Sequence, residues 1–493
     1  MNEPQETTAA GRPRLTPQSL AGVARGIAVP SYDRSKTQIG IVHFGPGAFH
    51  RGHQAWYMDT LLARDPRWAI CGAELRPPGF SAALKPQDCL YVVAELDVRP
   101  HFRVIGSLKE YLSAADEAAL IFSRLTQPQV KLVSLTVTEK GYCLDGSGAL
   151  DFQHPDIVHD LAEPTNPVSA VGWVTEGLAR RKAKGLAPFV ALSCDNVVAN
   201  GEKLHAAVLG FAQARGDKDL AAWIEGEVRF PCTMVDSITP AGDDALRRKV
   251  ADAVGLIDEA PVQRESFLQW VVEDILGPDA PDIASVGASL TSDVKAFELA
   301  KLRLLNGAHS TLAYAGLLMG YDSVGQAMTD QRLAGFVGQM MRQDITPSLR
   351  QTRGLDFEAY TAAILQRFRN PALTHKLYQI ASDGSQKLPY RILAPVADAL
   401  AAGRPVERLA VPIAAWMRFV EREAKAGRTL ADPLSPTLVK IGNACVGDAR
   451  ADLPGFLGLT DIFTRAIAGD QRFVAALSAA YDRFANGSLL DGT

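Results

Sequence analysis

The segment Lys301-Leu302-Arg303-Leu304-Leu305-Asn306-Gly307-Ala308-His309 brings an amine, an amide and an imidazole close together in sequence. On an α-helix, about 100° per residue puts Asn306 roughly 140° and His309 roughly 80° from Lys301. All three then share one face. A lysine so placed is a general acid/base with hydrogen-bond donors beside it. Burial tunes lysine toward neutrality, which lets it take a proton from an alcohol. The plainer reading is a solvated lysine followed by a capped or packed histidine, and spacing alone favours that reading.

A second candidate is the turn Gly45-Pro46-Gly47-Ala48-Phe49-His50-Arg51, which follows the apolar run Gln38 to Phe44. Backbone N–H groups at Gly45, Gly47, Ala48 and Phe49 are placed to hold a pyrophosphate at a helix start. His50 stands where the usual fingerprint has its third glycine. His50 and His53 are three apart, but no third ligand of metal type lies nearby in sequence, so no metal is expected. The next apolar run, Trp68 to Ala73, leads to Glu74 and Arg76. Glu74 suits the ribose hydroxyls of NAD, whereas Arg76 suits adenine or a 2′-phosphate, so NAD and NADP both stay open. Two more apolar runs end in polar clusters. Val130 to Val137 ends at Thr138-Glu139-Lys140, and Pro188 to Leu192 ends at Ser193-Cys194-Asp195-Asn196. Asp236, His375, Lys387 and Arg391 complete the candidates.

These residues need elements to position them. Strand, glycine turn, helix over Gln54 to Arg64, and strand make a β-α-β pattern. Strands apolar throughout, with chemistry at their carboxyl ends, read as a buried parallel sheet. After about residue 290 helical periodicity takes over, as in Ala296 to Met319, Leu333 to Arg342, Phe357 to Arg369 and Val406 to Ala424. The expected fold is an α/β N-terminal Rossmann-type domain over residues 31–290 and a mostly α-helical C-terminal domain over 291–493. Residues 1–30 read as a loose, polar lead-in.

Composition closes off other classes. Hydrophobic residues at 47% can build cores, which excludes disorder as the main state. A net charge of −4 gives no footprint for nucleic acid or an anionic membrane. No apolar run reaches the ~18 residues of a membrane span. The start, MNEPQETTAAGRPRL, does not read as a secretory leader. The six cysteines include no C-x-x-C pair, so buried free thiols in a reducing cytoplasm are expected.

Seven segments, in order, resemble the polyol-specific long-chain dehydrogenase family. They are IVHFGPGAFHRGHQAWYMD, VSLTVTEKGYC, ALSCDNVVANGE, FPCTMVDSITP, FLQWVVED, KLRLLNGAHSTLAYAG and SDGSQKLPYR. The family includes mannitol 2-dehydrogenase, D-arabinitol dehydrogenase and fructuronate reductase (D-mannonate oxidoreductase). The resemblance implies metal-independent, NAD(P)-linked interconversion of a secondary alcohol and a ketone at C2. It makes Lys301 the general acid/base and puts Asn196 and Asn306 on the reacting oxygen. His309 orients the substrate, Asp236 and Lys387 face it, and Glu298 is tied to proton exchange with solvent. TVTEKGYC, FPCTMVD, KLRLLNG and DGSQKLP-x-R look closer to the fructuronate reductase branch, with mannitol 2-dehydrogenase next. A hexuronate substrate carries a carboxylate, for which Lys387 and Arg391, with His375 nearby, are the expected cationic partners. Pro78-Gly79 and Ser237 depart from the mannitol pattern, which has acidic residues and an arginine there. The resemblance also favours a monomer acting on a small hexuronate or polyol.

Overall fold

The run Ile39–Phe44 is apolar on both faces apart from His43, and it forms β1, the central strand of a parallel sheet. In the computed structural model, which describes residues 11–77, 79–372 and 375–485, ten further strands follow. They are β2 (Ala69–Glu74), β3 (Tyr91–Leu96), β4 (His101–Ile105), β5 (Leu108–Ser113), β6 (Leu132–Leu135) and β7 (Val190–Ser193). Then come β8 (Thr233–Asp236), β9 (Val262–Glu265), β10 (Gln269–Glu273) and β11 (Ser289–Thr291). The main sheet has the order β5-β2-β1-β6-β7, with every neighbouring pair parallel. The chain winds outward from β1 in one direction and then the other, so the topological switch lies between β1 and β6. A doubly wound sheet binds its ligand there, outside the carboxyl ends of the strands.

Side chains alternate between the two faces of β1. Val42 and Phe44 join a core with Trp173 and Phe211 from the helices Ala170–Ala183 and Asn200–Ala214. Ile41 joins a second core with Tyr57 and Met58 from the helix Gln54–Leu61. Two smaller sheets, β4-β3-β9 and β11-β10-β8, complete this unit, Met1–Lys295. The hairpin β3–β4 and the short strands after Phe230 carry no strong periodic signal of their own and were not anticipated from the sequence.

Two expectations need correction. The lead-in is not loose over its described part. Leu15 is fully buried against Val92, Val250 and Val254, and its N–H donates to the Ile257 carbonyl at 2.8 Å. Its prolines limit unfolded-state freedom, and one leucine anchor fixes the path. Residues 1–10 lie outside the described residues. The helix after the glycine turn is also interrupted. It runs Ala48–Gly52, breaks at His53 (φ −117°, ψ −90°), and resumes as Gln54–Leu61. The His53 ring meets the Gln269 carbonyl at 2.9 Å and packs on Phe49, which holds the break.

The second unit, Ala296–Thr493, has no strand among its described residues. Its long helix Glu407–Lys425 is buried on most sides, with Trp416 and Met417 in the core. Three helical stretches here are π-helical: Lys301–Leu305, Met340–Ile345 and Pro389–Leu393. Among the described residues no helix is long and apolar enough to cross a membrane. All six cysteines are buried, unpaired thiols.

Candidate active site

A cavity of about 550 Å³ opens where β1, β2 and β6 end. Gly45 and Gly47 form its floor, and Glu74, Arg76 and Thr138 stand in its wall. Gly45 has φ +82°, and a Cβ there would lie 2.3 Å from the Thr136 carbonyl oxygen. Only glycine fits that turn. Beneath it, His43 stacks on His50 with ring centroids 3.4 Å apart. The Thr136 hydroxyl donates to the Gly45 carbonyl (2.7 Å), so it accepts from His43 Nε2, while Ser134 donates to His43 Nδ1. Burial pushes His43 down to about 3, so it is neutral and serves as a fixed support under the turn. His50 is likewise pushed down, first by burial and then by His43. The pair is therefore packed polar core.

Glu74 ends β2 and is nearly buried, facing the cavity. Its Oε2 has no hydrogen-bond partner among the described residues. A Cβ on Gly79 would lie 1.5 Å from that same oxygen, so glycine at 79 is what lets the carboxylate sit there. Pro78, the other residue of that departure from the mannitol pattern, lies outside the described residues. Arg76 is more exposed and pairs with Asp156. Three of the expected cofactor contacts are not in the cavity wall. Ala48 and Phe49 open the following helix, and Glu139 is exposed. A carboxylate at the end of β2, a glycine turn and a cavity of this size fit a nicotinamide dinucleotide.

The turn after β6 is strained. Thr138 has φ +68° and ψ 165°, a region of essentially glycine-only backbone that costs about 1–3 kcal/mol for other residues. Asp195 holds it. Its Oδ1 accepts the Thr138 N–H at 2.7 Å, and its Oδ2 accepts the Val137 N–H at 3.1 Å. The Tyr142 hydroxyl donates to Oδ2 at 2.8 Å and also meets the Ser193 hydroxyl. Burial pushes the Asp195 carboxyl up, while these hydrogen bonds oppose the shift. Asn196, the next residue, is exposed in the loop after β7. Asn200 ties that loop to β8, donating from Nδ2 to the Asp195 and Thr233 carbonyls, both at 3.0 Å. Asp236 ends β8 and is buried. Asp195, Tyr142 and Asn200 were not singled out from sequence as parts of one network, because a cap or core polar residue looks the same in one dimension.

In the helical unit Lys301 opens a π turn, not an α turn, and this corrects the angles above. The Asn306 N–H donates to the Lys301 carbonyl, a bond closed over five residues. The extra residue in the turn brings Asn306 nearer to Lys301 round the helix than the α-helical angle allows. π turns of this kind cluster at functional sites because they re-aim side chains. Lys301, Asn306 and His309 are all half-buried. The His309 ring stacks on Phe368 at 4.5 Å and meets His375 edge to face at 5.9 Å. Burial, then Arg367, holds His375 below its ordinary value.

The second π turn, Pro389–Leu393, carries Arg391 to the same place. Its Nη1 donates to the Asn306 carbonyl at 3.4 Å and to the Ser310 hydroxyl at 3.2 Å. No carboxylate pairs with Arg391 among the described residues. Burial lowers its pKa. Lys387 is differently engaged. Its ammonium donates to the Ser382 carbonyl at 2.7 Å and stands 3.8 Å from Asp383. Burial, then Arg391, lowers the Lys387 pKa.

Among the described residues there is one metal-type cluster, away from the histidines considered above. Cys143, His154 and Asp156 offer ligand atoms within 4.8 Å of one another. Asp156 is paired with Arg76, and His154 Nδ1 accepts the Asp156 N–H, so two of the three groups are already committed.

With this geometry in hand, similarity to known proteins becomes informative. Residues 39–284 match the mannitol dehydrogenase Rossmann domain, and residues 293–485 match the mannitol dehydrogenase C-terminal domain. A D-mannonate oxidoreductase of Escherichia coli (strain K12) is 43% identical over 466 residues, covering 93% of this chain and 95% of that one. A polyol:NADP oxidoreductase of Gluconobacter oxydans (strain 621H) is 34% identical over 472 residues, covering 94% and 96%. The structure of Pseudomonas fluorescens mannitol 2-dehydrogenase, a ternary complex with NAD and D-mannitol, is 36% identical. It superposes with a TM-score of 0.78, covering 97% of this chain and 98% of that one. The chain belongs to the mannitol dehydrogenase family, oxidoreductases of CH–OH groups built from a Rossmann domain and a helical C-terminal domain.

Proposed function

We propose that this protein is an NAD-dependent hexuronate reductase that interconverts D-fructuronate and D-mannonate at C2. The observation that carries the substrate class is Arg391. A half-buried guanidinium without a counter-ion among the described residues, hydrogen-bonded to the Asn306 carbonyl of the Lys301 motif, calls for an anion. A sugar carboxylate supplies one, and arginine binds it through two N–H donors at once. Lys387 adds positive potential at that corner, although its own donors are largely spent. The similarity to a D-mannonate oxidoreductase supports the same substrate class.

When bound, the nicotinamide supplies the hydride for ketone reduction or takes it up in alcohol oxidation. This chain's residues do the rest. Lys301 gives the proton to the reacting oxygen in reduction and, when neutral, takes it in oxidation. Asn306 and Asn196 donate to that oxygen as it gains negative charge. His309, held by Phe368, orients the substrate hydroxyls, and Asp236 accepts from another. His375 edges the His309 ring and fixes its tilt. Glu298, one turn before Lys301, exchanges the lysine proton with solvent. The Gly45 and Gly47 N–H groups donate to the Ala73 and Gly45 carbonyls, so the pyrophosphate donors in this reading are the first amides of the following helix, at Ala48 and Phe49.

The cofactor reading is NAD over NADP. Glu74 lines the cavity with a carboxylate at the end of β2, where it suits ribose hydroxyls and repels a 2′-phosphate. The buried thiols support a reducing cytoplasmic compartment, and the family resemblance supports a monomer.

Three outcomes are expected. Lys301→Ala lowers kcat by roughly 10²-fold or more while NADH binding, read by fluorescence titration, stays near wild type. A variant retaining most of its turnover contradicts the general acid/base role. Arg391→Met lowers kcat/KM for D-fructuronate by about 10²-fold, the loss expected when one partner of a buried charge pair is removed. Equal losses on D-fructuronate and on neutral D-fructose contradict its role as carboxylate partner. Glu74→Ala shifts the NADPH/NADH ratio of kcat/KM by about tenfold toward NADPH. An unchanged ratio removes Glu74 from cofactor discrimination.

A further inference from the structure

Thr138 is a β-branched residue in a backbone region that favours glycine, and its strain must be held by something. The carboxylate of Asp195 is the group in contact with it. It takes the two consecutive N–H groups of Val137 and Thr138, one on each oxygen, at 3.1 and 2.7 Å. Asp195 is itself held from both sides. Tyr142, which closes the same turn, donates to its Oδ2, and Asn200 donates to its backbone carbonyl. Asp195 lies immediately before Asn196 in the loop after β7. One buried carboxylate therefore bridges two segments. One is the turn that walls the cofactor cavity, and the other is the loop that carries Asn196.

We propose that Asp195 is a positioning residue that keeps the Val137–Thr138 turn in its strained form, and that this form is the one that accepts the cofactor. Thr136, Val137 and Thr138 all line the cavity, so a turn relaxed to negative φ at Thr138 would swing cavity wall and re-aim two amides. The same carboxylate fixes where the loop after β7 starts, so Asn196 inherits its position from Asp195. The role is exerted through the backbone and needs no contact between Asp195 and substrate. The inference rests on the reading of the cavity as a dinucleotide site.

The test is NADH binding to the full-length protein, read by quenching of tryptophan fluorescence, with thermal melting as the fold control. Asp195→Asn keeps shape but offers one acceptor oxygen where the carboxylate offers two. It is expected to weaken NADH binding by roughly tenfold. Adding Thr138→Gly to Asp195→Asn is expected to restore most of that loss, because glycine holds positive φ without help. Restoration separates this role from a merely structural one, since glycine at 138 adds no contact and cannot repair a generally damaged fold. Wild-type affinity in Asp195→Asn overturns the proposal, as does a double variant no better than the single one. If Asp195→Asn does not fold, Tyr142→Phe removes one of the carboxylate's three donors and must still weaken NADH binding by about threefold. Unchanged affinity there overturns the proposal too. Wild-type protein that fails to bind NADH is a different result, and it overturns the dinucleotide reading itself.

Discussion

A hydrogen bond from the Asn306 N–H to the Lys301 carbonyl, closed over five residues, sets the backbone geometry of the proposed catalytic motif. It inserts a π turn into an otherwise continuous helix running from Val294 to Leu318. An α turn would carry Asn306 well round the helix from Lys301. The π turn narrows that angle, and the Asn306 carbonyl accepts from Arg391. Arg391 arrives on a π turn of its own, Pro389–Leu393. Two locally costly distortions thus place a proton donor, an amide and an uncompensated cation together. Such features persist where the surrounding structure over-determines them. Here the two turns pack against each other and against the helix Asn306–Leu318.

The Rossmann unit follows the same logic with different parts. Its sheet is ordinary: apolar strands, parallel register and helices packed against Val42 on one face and Ile41 on the other. Its chemistry sits at the ends of those strands, where regularity stops. Gly45 takes positive φ, Thr138 is held at positive φ by Asp195, and Glu74 is buried against Gly79. Neutral, stacked His43 and His50 sit beneath the turn, where a charged pair would be expensive. Polar groups in this region are mostly satisfied by one another. Glu74 differs: it lines the cavity, and its Oε2 is buried against Gly79 without a hydrogen-bond partner among the described residues.

Much of this was legible in the sequence. Runs such as Ile39–Phe44 announce buried strands because no polar face is left, and the change of texture near residue 290 marks where strands stop. The Lys-x4-Asn-x2-His spacing was read on α-helical angles, and the π turn at Lys301–Leu305 replaces them. π turns have no sequence signature in side-chain periodicity, because one extra residue in a turn looks like an imperfect α pattern. The engagement of Lys387 by the Ser382 carbonyl was equally hidden, since a lysine four residues after an aspartate reads as a surface pair. The anchored lead-in was missed because one leucine among prolines and polar residues carries little weight in a window average. The Asp195 network was missed because its partners, Val137, Thr138 and Tyr142, are more than fifty residues away in sequence.

The proposed substrate choice rests on a half-buried arginine, without a counter-ion among the described residues, that selects a substrate with a carboxylate beside the Lys301 motif. The most direct measurement is the initial rate of NADH oxidation by the wild-type protein with D-fructuronate and with D-fructose, in parallel and at matched concentration. The account predicts turnover with D-fructuronate and a rate with D-fructose lower by at least about 10²-fold, in keeping with the loss of a buried charge pair. Equal rates, or turnover with D-fructose alone, would contradict it and would make this a mannitol-type dehydrogenase in which Arg391 serves hydroxyls or packing.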